Sequence, residues 1–372
     1  ADYVVAPDEV GGGGESEVGV GHGVDLYRGR HLDSLGRAGA GVAGRARDSR
    51  PGAPLRIKVT APVEILSWTL ALLGLAAASL LVGVYDVFGA PDGTRMLLLT
   101  RIPRTVSLLL AGAALSACGL VMQRLTRNRF VEPTTTGTTE WAGLGLLTAL
   151  ILTPEAPIVW KMVLAIVFSF GGTMLFFAIL GRIRDTSALL VPIIGIMLGA
   201  VVGAVSTWIA LATNALQSMG AWFMGSFASA IEGQYEPVWA VLLVLIGIAV
   251  VADRFTVAGL GKDVATSVGL DHGRTILVGT AMVASATGII TVVIGNLPFL
   301  GLIVPNVVAL VHGDDLRSAL PRVLALGAAT VTACDIIGRS IIMPFEIPVG
   351  TILSLLGAIV FTALLLKGGR GD

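Results

Sequence analysis

Residues 158–180 read IVWKMVLAIVFSFGGTMLFFAIL, with Lys161 as the single charge. A run of that length and polarity matches the roughly 20 residues that cross a hydrocarbon core. No water is available there to pair with backbone N–H and C=O groups, so the run must be a helix. The chain repeats the pattern. Apolar blocks run over 63–85, 105–123, 138–153, 158–180, 188–211, 238–252, 275–295, 299–311, 320–341 and 349–366. The block at 299–311 is too short to cross unless Pro298 or His312 extends it. The expected fold class is an all-α membrane protein of about ten transmembrane helices.

Composition excludes a water-soluble enzyme. Of 372 residues, 54% are hydrophobic and 13% charged, against roughly 25% charged in a soluble globular domain. The formal net charge is zero, so no nucleic acid or other polyanionic partner is implied. Cys118 and Cys334 lie inside apolar blocks without metal-ligand spacing and read as small packing residues. His22, His31, His272 and His312 fall outside the apolar centres, so no haem or metal site is suggested. Residues 1–58 are Gly-rich, charged in both signs and poor in aliphatic runs. Such a segment cannot bury a core and is expected to be a disordered cytoplasmic extension. Residues 59–372 form the transmembrane domain.

Lys and Arg set the orientation. Arg37, Arg45, Arg47, Arg50, Arg56 and Lys58 precede the first block, and Arg124, Arg127 and Arg129 follow the second. Arg182 and Arg184, then Arg254, Lys262 and Arg274, then Arg317 and Arg322, and finally Lys367 and Arg370 fall on the same side. Both termini are therefore expected in the cytoplasm. Three arginines break the pattern on the opposite side: Arg101, Arg104 and Arg339. Either they snorkel, with Arg339 pairing Asp335 four residues earlier, or they receive carboxylates of an external partner. Charge placement leaves both readings open.

On the cytoplasmic side, residues 253–274 include the run Gly259-Leu260-Gly261-Lys262-Asp263-Val264-Ala265-Thr266-Ser267-Val268-Gly269. Val264 and Val268 share one helical face between glycines, which suits a short helix entering a partner's groove; a plain connecting loop is the alternative. No phosphate-binding Gly-Lys-Ser or Gly-Lys-Thr occurs, and the Asp of Gly261-Lys262-Asp263 lacks the hydroxyl such a loop gives to magnesium. An ion-coupled transporter would need ionisable groups near the bilayer centre, for which Glu140 and Asp335 are the few candidates.

Four elements in order carry a family resemblance: Arg101-Ile102-Pro103-Arg104-Thr105, Gln123-Arg124-Leu125-Thr126-Arg127-Asn128, Gly301-Leu302-Ile303-Val304-Pro305 and Glu346-Ile347-Pro348-Val349-Gly350. From about residue 63 to 370 the chain resembles the FecCD family, permease subunits of ABC importers for iron-siderophores, haem and vitamin B12. Phe130-Val131-Glu132-Pro133-Thr134-Thr135-Thr136-Gly137-Thr138 resembles the branch for catecholate siderophores of the petrobactin and anguibactin type. Asn306, where much of the family has His, points the same way.

The resemblance implies a permease of the vitamin B12/siderophore importer type in the cytoplasmic membrane, without a catalytic site of its own. A separate ABC ATPase would bind ATP and Mg, and no cofactor is expected in this chain. A second permease subunit is implied, as a heterodimer in preference to a homodimer, with an extracytoplasmic binding protein delivering the ferric siderophore. Arg101, Arg104 and Arg339 match the family's binding-protein docking positions. Gly259, Gly261, Val264, Ala265, Val268 and Gly269 match its ATPase-coupling element, and Thr186 and Ser187 its cytoplasmic gate.

Overall fold

The structure, a computed structural model, describes residues 61–83, 92–183, 187, 189–312 and 315–368. The extension expected at 1–58 lies outside the described residues. The elements are α1 (Ala61–Leu81), α2 (Gly93–Met96), a π-helical turn (Leu97–Arg101), α3 (Ile102–Thr126), α4 (Thr138–Leu152), α5 (Ile158–Leu180), α6 (Leu190–Ala212), α7 (Leu216–Phe223), a 3-10 turn (Glu236–Trp239), α8 (Ala240–Ala258), α9 (Lys262–Ser267), α10 (His272–Val293), α11 (Leu300–His312), α12 (Leu316–Ile341) and α13 (Val349–Gly368). Six helical segments are long and apolar enough to cross a membrane, and apolar stretches in α1, α4, α11 and α13 are shorter. Every expected block has its helix, and no strand occurs among the described residues.

Helix α3 is the spine. Residues from Leu108 to Leu125 are almost all buried, and α12, α11, α10 and α8 pack around them. Lipid gives no hydrophobic drive between helices, so close backbone approach has to supply the attraction. It does so at two crossings. A Cβ added to Gly119 would lie 2.0 Å from the Gly301 carbonyl oxygen on α11, and one on Gly112 would lie 2.5 Å from that of Gly327 on α12.

Two elements differ from the sequence expectation. The second span begins not at 105 but in a helical run that starts at Gly93. Pro103 has no N–H to donate, yet the run continues through it behind the π turn, because the Leu99 carbonyl one turn back accepts the Glu232 N–H at 2.9 Å instead. Helix α7 was not expected either. It follows Asn214, which has φ 57, and its Phe223 ring closes on Gly143 of α4, where an added Cβ would meet Cζ at 2.5 Å.

Helix α11 matters most for the interior. Its 13 residues rise about 20 Å, short of a core about 30 Å thick. Its first turn therefore lies within the bundle and must find acceptors there.

Candidate functional site

Three gatherings of polar side chains stand out among the described residues. The first is the end of the bundle where α3 begins, called the Arg104 face below. Arg104 Nη2 lies 2.8 Å from Asp335 Oδ1 and 2.7 Å from Glu346 Oε2, and Nη1 lies 3.1 Å from Glu346 Oε1. Arg339 Nη2 reaches the other oxygen of Asp335 at 2.8 Å, one helical turn away on α12. The same guanidinium donates to the Val82 carbonyl at 2.7 Å and to Ser79 Oγ at 3.1 Å, at the end of α1. Arg101 also donates to the Val82 carbonyl. Three arginines and two acids thus tie together the ends of α1, α3 and α12.

Burial grades this network. Asp335 is 1% exposed and Arg339 5%, whereas Glu346 keeps 39% of its side chain exposed. The Arg339–Asp335 pair that the sequence offered as the plain alternative is present. It is shared with Arg104, whose link to residues more than 200 positions away no local pattern carries. A cavity of about 320 Å³ opens here, lined by Arg101, Arg104, Arg339, Glu346 and Gly83 among others. Asp335, one of the two candidates for ion coupling, is occupied by two guanidinium groups.

The second place is a buried junction that sequence reasoning missed. Glu132, 1% exposed, sits in the irregular segment between α3 and α4. Its Oε1 accepts the Phe299 N–H at 2.8 Å and the Thr134 hydroxyl. The N–H groups of Gly301 and Leu302 also point at this carboxylate. The first N–H groups of a helix have no partner within it, and a carboxylate suits the positive end of its dipole. Glu132 therefore supplies what α11 needs where its first turn is buried. The available signal was a single acid in the Arg- and Thr-rich stretch between two apolar blocks, together with a span too short to cross.

The third place is the opposite end of α3, called the α9 face. Gly261, φ 112, starts α9 and Gly269, φ 81, follows it, both conformations that favour glycine. Ala265 is fully buried against the body, while Leu260, Val264 and Val268 are exposed. The expected apolar pair does share an outward face. Nearby, Asp315 caps α12: its Oδ2 accepts the Ser318 N–H at 3.0 Å, which holds its carboxyl below the usual range. Of the expected gate, Ser187 is exposed and Thr186 lies outside the described residues.

A family model described as the FecCD transport family matches residues 65–367. The chain is 54% identical over 308 residues to the petrobactin import system permease protein FatD of Bacillus anthracis, covering 83% of this chain and 92% of that one. It is 38% identical over 302 residues to the petrobactin import system permease protein YclN of Bacillus subtilis, covering 80% and 96%. Among solved structures, a metal-chelate type ABC transporter in an inward-facing conformation superposes with a TM-score of 0.72 at 25% identity, covering 82% and 99%.

Proposed function

Because the chain belongs to the FecCD transport family, we propose that it is the membrane-spanning permease of an ABC importer for a ferric siderophore of the petrobactin class. The identity of 54% to a petrobactin permease, sustained across 83% of this chain, carries the reading. It is a transport protein whose partners are an ATPase and a permease subunit.

The finer assignments follow from that premise. ATP and Mg belong to the separate ATPase. Helix α9 transmits its movement, a role supported by an exposed Val264 and Val268 on a helix anchored by buried Ala265. The second permease is a related but different chain. Exposed Ile193, Met197 and Val201 lie along one face of α6, and Leu355 and Ile359 along one face of α13, which supports a partner-facing path there. Thr186 and Ser187 close its cytoplasmic end, because small polar groups part with little desolvation cost. Both termini lie in the cytoplasm, which puts the Arg104 face outside. There the three guanidinium groups receive carboxylates of an extracytoplasmic binding protein, which long-range attraction steers into register.

Uptake of radiolabelled iron bound to petrobactin, in proteoliposomes holding the permease pair and its ATPase and supplied with the binding protein, tests the reading. ATP-dependent uptake that persists when proton gradients are collapsed supports it. Uptake of vitamin B12 in place of the ferric siderophore would reject the cargo, and uptake without the ATPase would reject the mechanism.

A further inference from the structure

The signature Gln123–Asn128 and the unusual Asn306 have no part in the reading above, yet the fold brings them together. A cavity of about 290 Å³ at the α9 face is lined by Arg124, Arg127, Arg129, Gln123, Asn128 and Asn306 among others. Among the described residues lining it there is no aspartate or glutamate.

Its walls are fixed by hydrogen bonds. Asn306 Nδ2 donates to the carbonyls of Arg129 and Leu302, both at 2.8 Å, and Gln123 Nε2 to that of Gly301 at 3.1 Å. Arg127 ends α3 in the left-handed region, φ 53 and ψ 35. Residues other than glycine adopt that region rarely, and such strain persists where the surroundings over-determine it. The turn is closed by the Asn128 N–H donating to the Gln123 carbonyl at 3.0 Å. It is also wedged against the start of α9, where a Cβ on Gly261 would stand 3.2 Å from Arg127 Nη1.

The negative end of the α3 dipole accounts in part for cations here. It explains Arg124 in the last turn and Arg127 just beyond it. It does not explain Arg129, which completes the concave wall. Asp315 lies within electrostatic reach of Arg124 and offsets part of the charge.

We propose that this cavity binds a phosphate-bearing anion, either the headgroup of an anionic phospholipid or free inorganic phosphate. The planar donors of guanidinium match phosphate oxygens. In the orientation proposed above, the cavity opens at the cytoplasmic leaflet, where basic pockets between helices take anionic headgroups. Exposed Val307, Leu310 and Val311 form one face of α11 beside Asn306 and give acyl chains an apolar strip to follow.

The assembled importer, purified in detergent with phosphatidylglycerol or phosphatidylcholine, is examined by native mass spectrometry for retained lipid. The wild type should retain phosphatidylglycerol in preference, and Arg127→Gln and Arg129→Gln should each lower that retention about fivefold. Where the glutamine variants fail to assemble, Arg127→Lys keeps the charge without the planar fork and should retain less phosphatidylglycerol than the wild type. If neither lipid is preferred but inorganic phosphate raises the Tm of the wild type more than that of Arg127→Gln, the source is free phosphate and the site stands. Equal retention of both lipids, with no phosphate-dependent rise in Tm of the wild type, overturns the proposal. These readouts are of binding, so they stand apart from success or failure in siderophore uptake.

Discussion

The Glu132 carboxylate accepts the Phe299 N–H at 2.8 Å, across 167 positions of sequence, where α11 begins inside the bundle. Glu132→Ala should leave that N–H without an acceptor. A buried donor left unsatisfied costs about 1–3 kcal/mol. Glu132→Gln keeps an acceptor oxygen and should cost less. Thermal unfolding of the purified complex orders the three proteins, and an alanine variant that melts with the wild type removes the capping role.

The Arg104 face should divide by burial. Asp335→Ala takes the carboxylate from buried Arg339 and leaves Arg104 with Glu346 alone, and breaking a buried pair costs about 3–5 kcal/mol. Glu346→Ala removes a partner that is 39% exposed, for which roughly 0.2–1 kcal/mol is expected. Membrane expression level and Tm should fall sharply for the first and little for the second. Equal losses would mean that Asp335 is not the keystone of this network.

Docking gives a separate prediction at the same face. Arg104, with 14% of its side chain exposed, is more accessible than Arg339 at 4%. Arg104→Glu should therefore weaken binding-protein affinity directly, whereas Arg339→Glu should act mainly by damaging the fold. Affinity measured on the folded fraction of each variant separates the two. Wild-type affinity in a well-folded Arg104→Glu protein ends the docking assignment.

Helix α9 should show the same contrast between surface and anchor. Val264→Asp and Val268→Asp place a charge on exposed positions, so Tm should hold while ATP hydrolysis and uptake come apart. Ala265→Asp buries an unpaired charge at a position with no exposure, and Tm should drop. Transport still coupled to hydrolysis in both valine variants would show that this face meets no ATPase groove.

The close crossing of α3 and α11 makes a steric prediction. Any side chain at Gly119 meets the Gly301 carbonyl at 2.0 Å, so the helices must separate. Gly119→Val should lower the yield of assembled protein more than the same change at Gly203, which has nothing within 4 Å. Comparable yields would remove the crossing from what holds the bundle.

The ten apolar helices among the described residues were legible because each apolar block had to satisfy its own backbone in lipid, a constraint written locally in the sequence. Arg101, Arg104 and Arg339 were legible as anomalies for a similar reason: each is a cation on the wrong side of the charge asymmetry. What they touch was not. Arg104 meets Asp335 and Glu346 at separations of 231 and 242 residues, and nothing near position 104 encodes those partners. The run at 93–101 was hidden by Arg95, Arg101 and Pro103, which together look like the edge of a membrane span. Glu132 stands in sequence beside Pro133 and a run of threonines, where nothing local marks it as a cap. Its task as a cap is visible only when the short α11 is placed beside it.

The glycine crossings of α3 also bear on how such a protein can change shape. Carbonyls held against α-carbons leave no slack for sliding, so α3, α11 and α12 must swing together like the pages of a bound book. The buried arginines at one end add a clasp across α1, α3 and α12. Freedom to open then falls to the outlying helices, among them α6, whose apolar flank is exposed. A passage through this permease is accordingly hinged at its periphery and stiff along its spine.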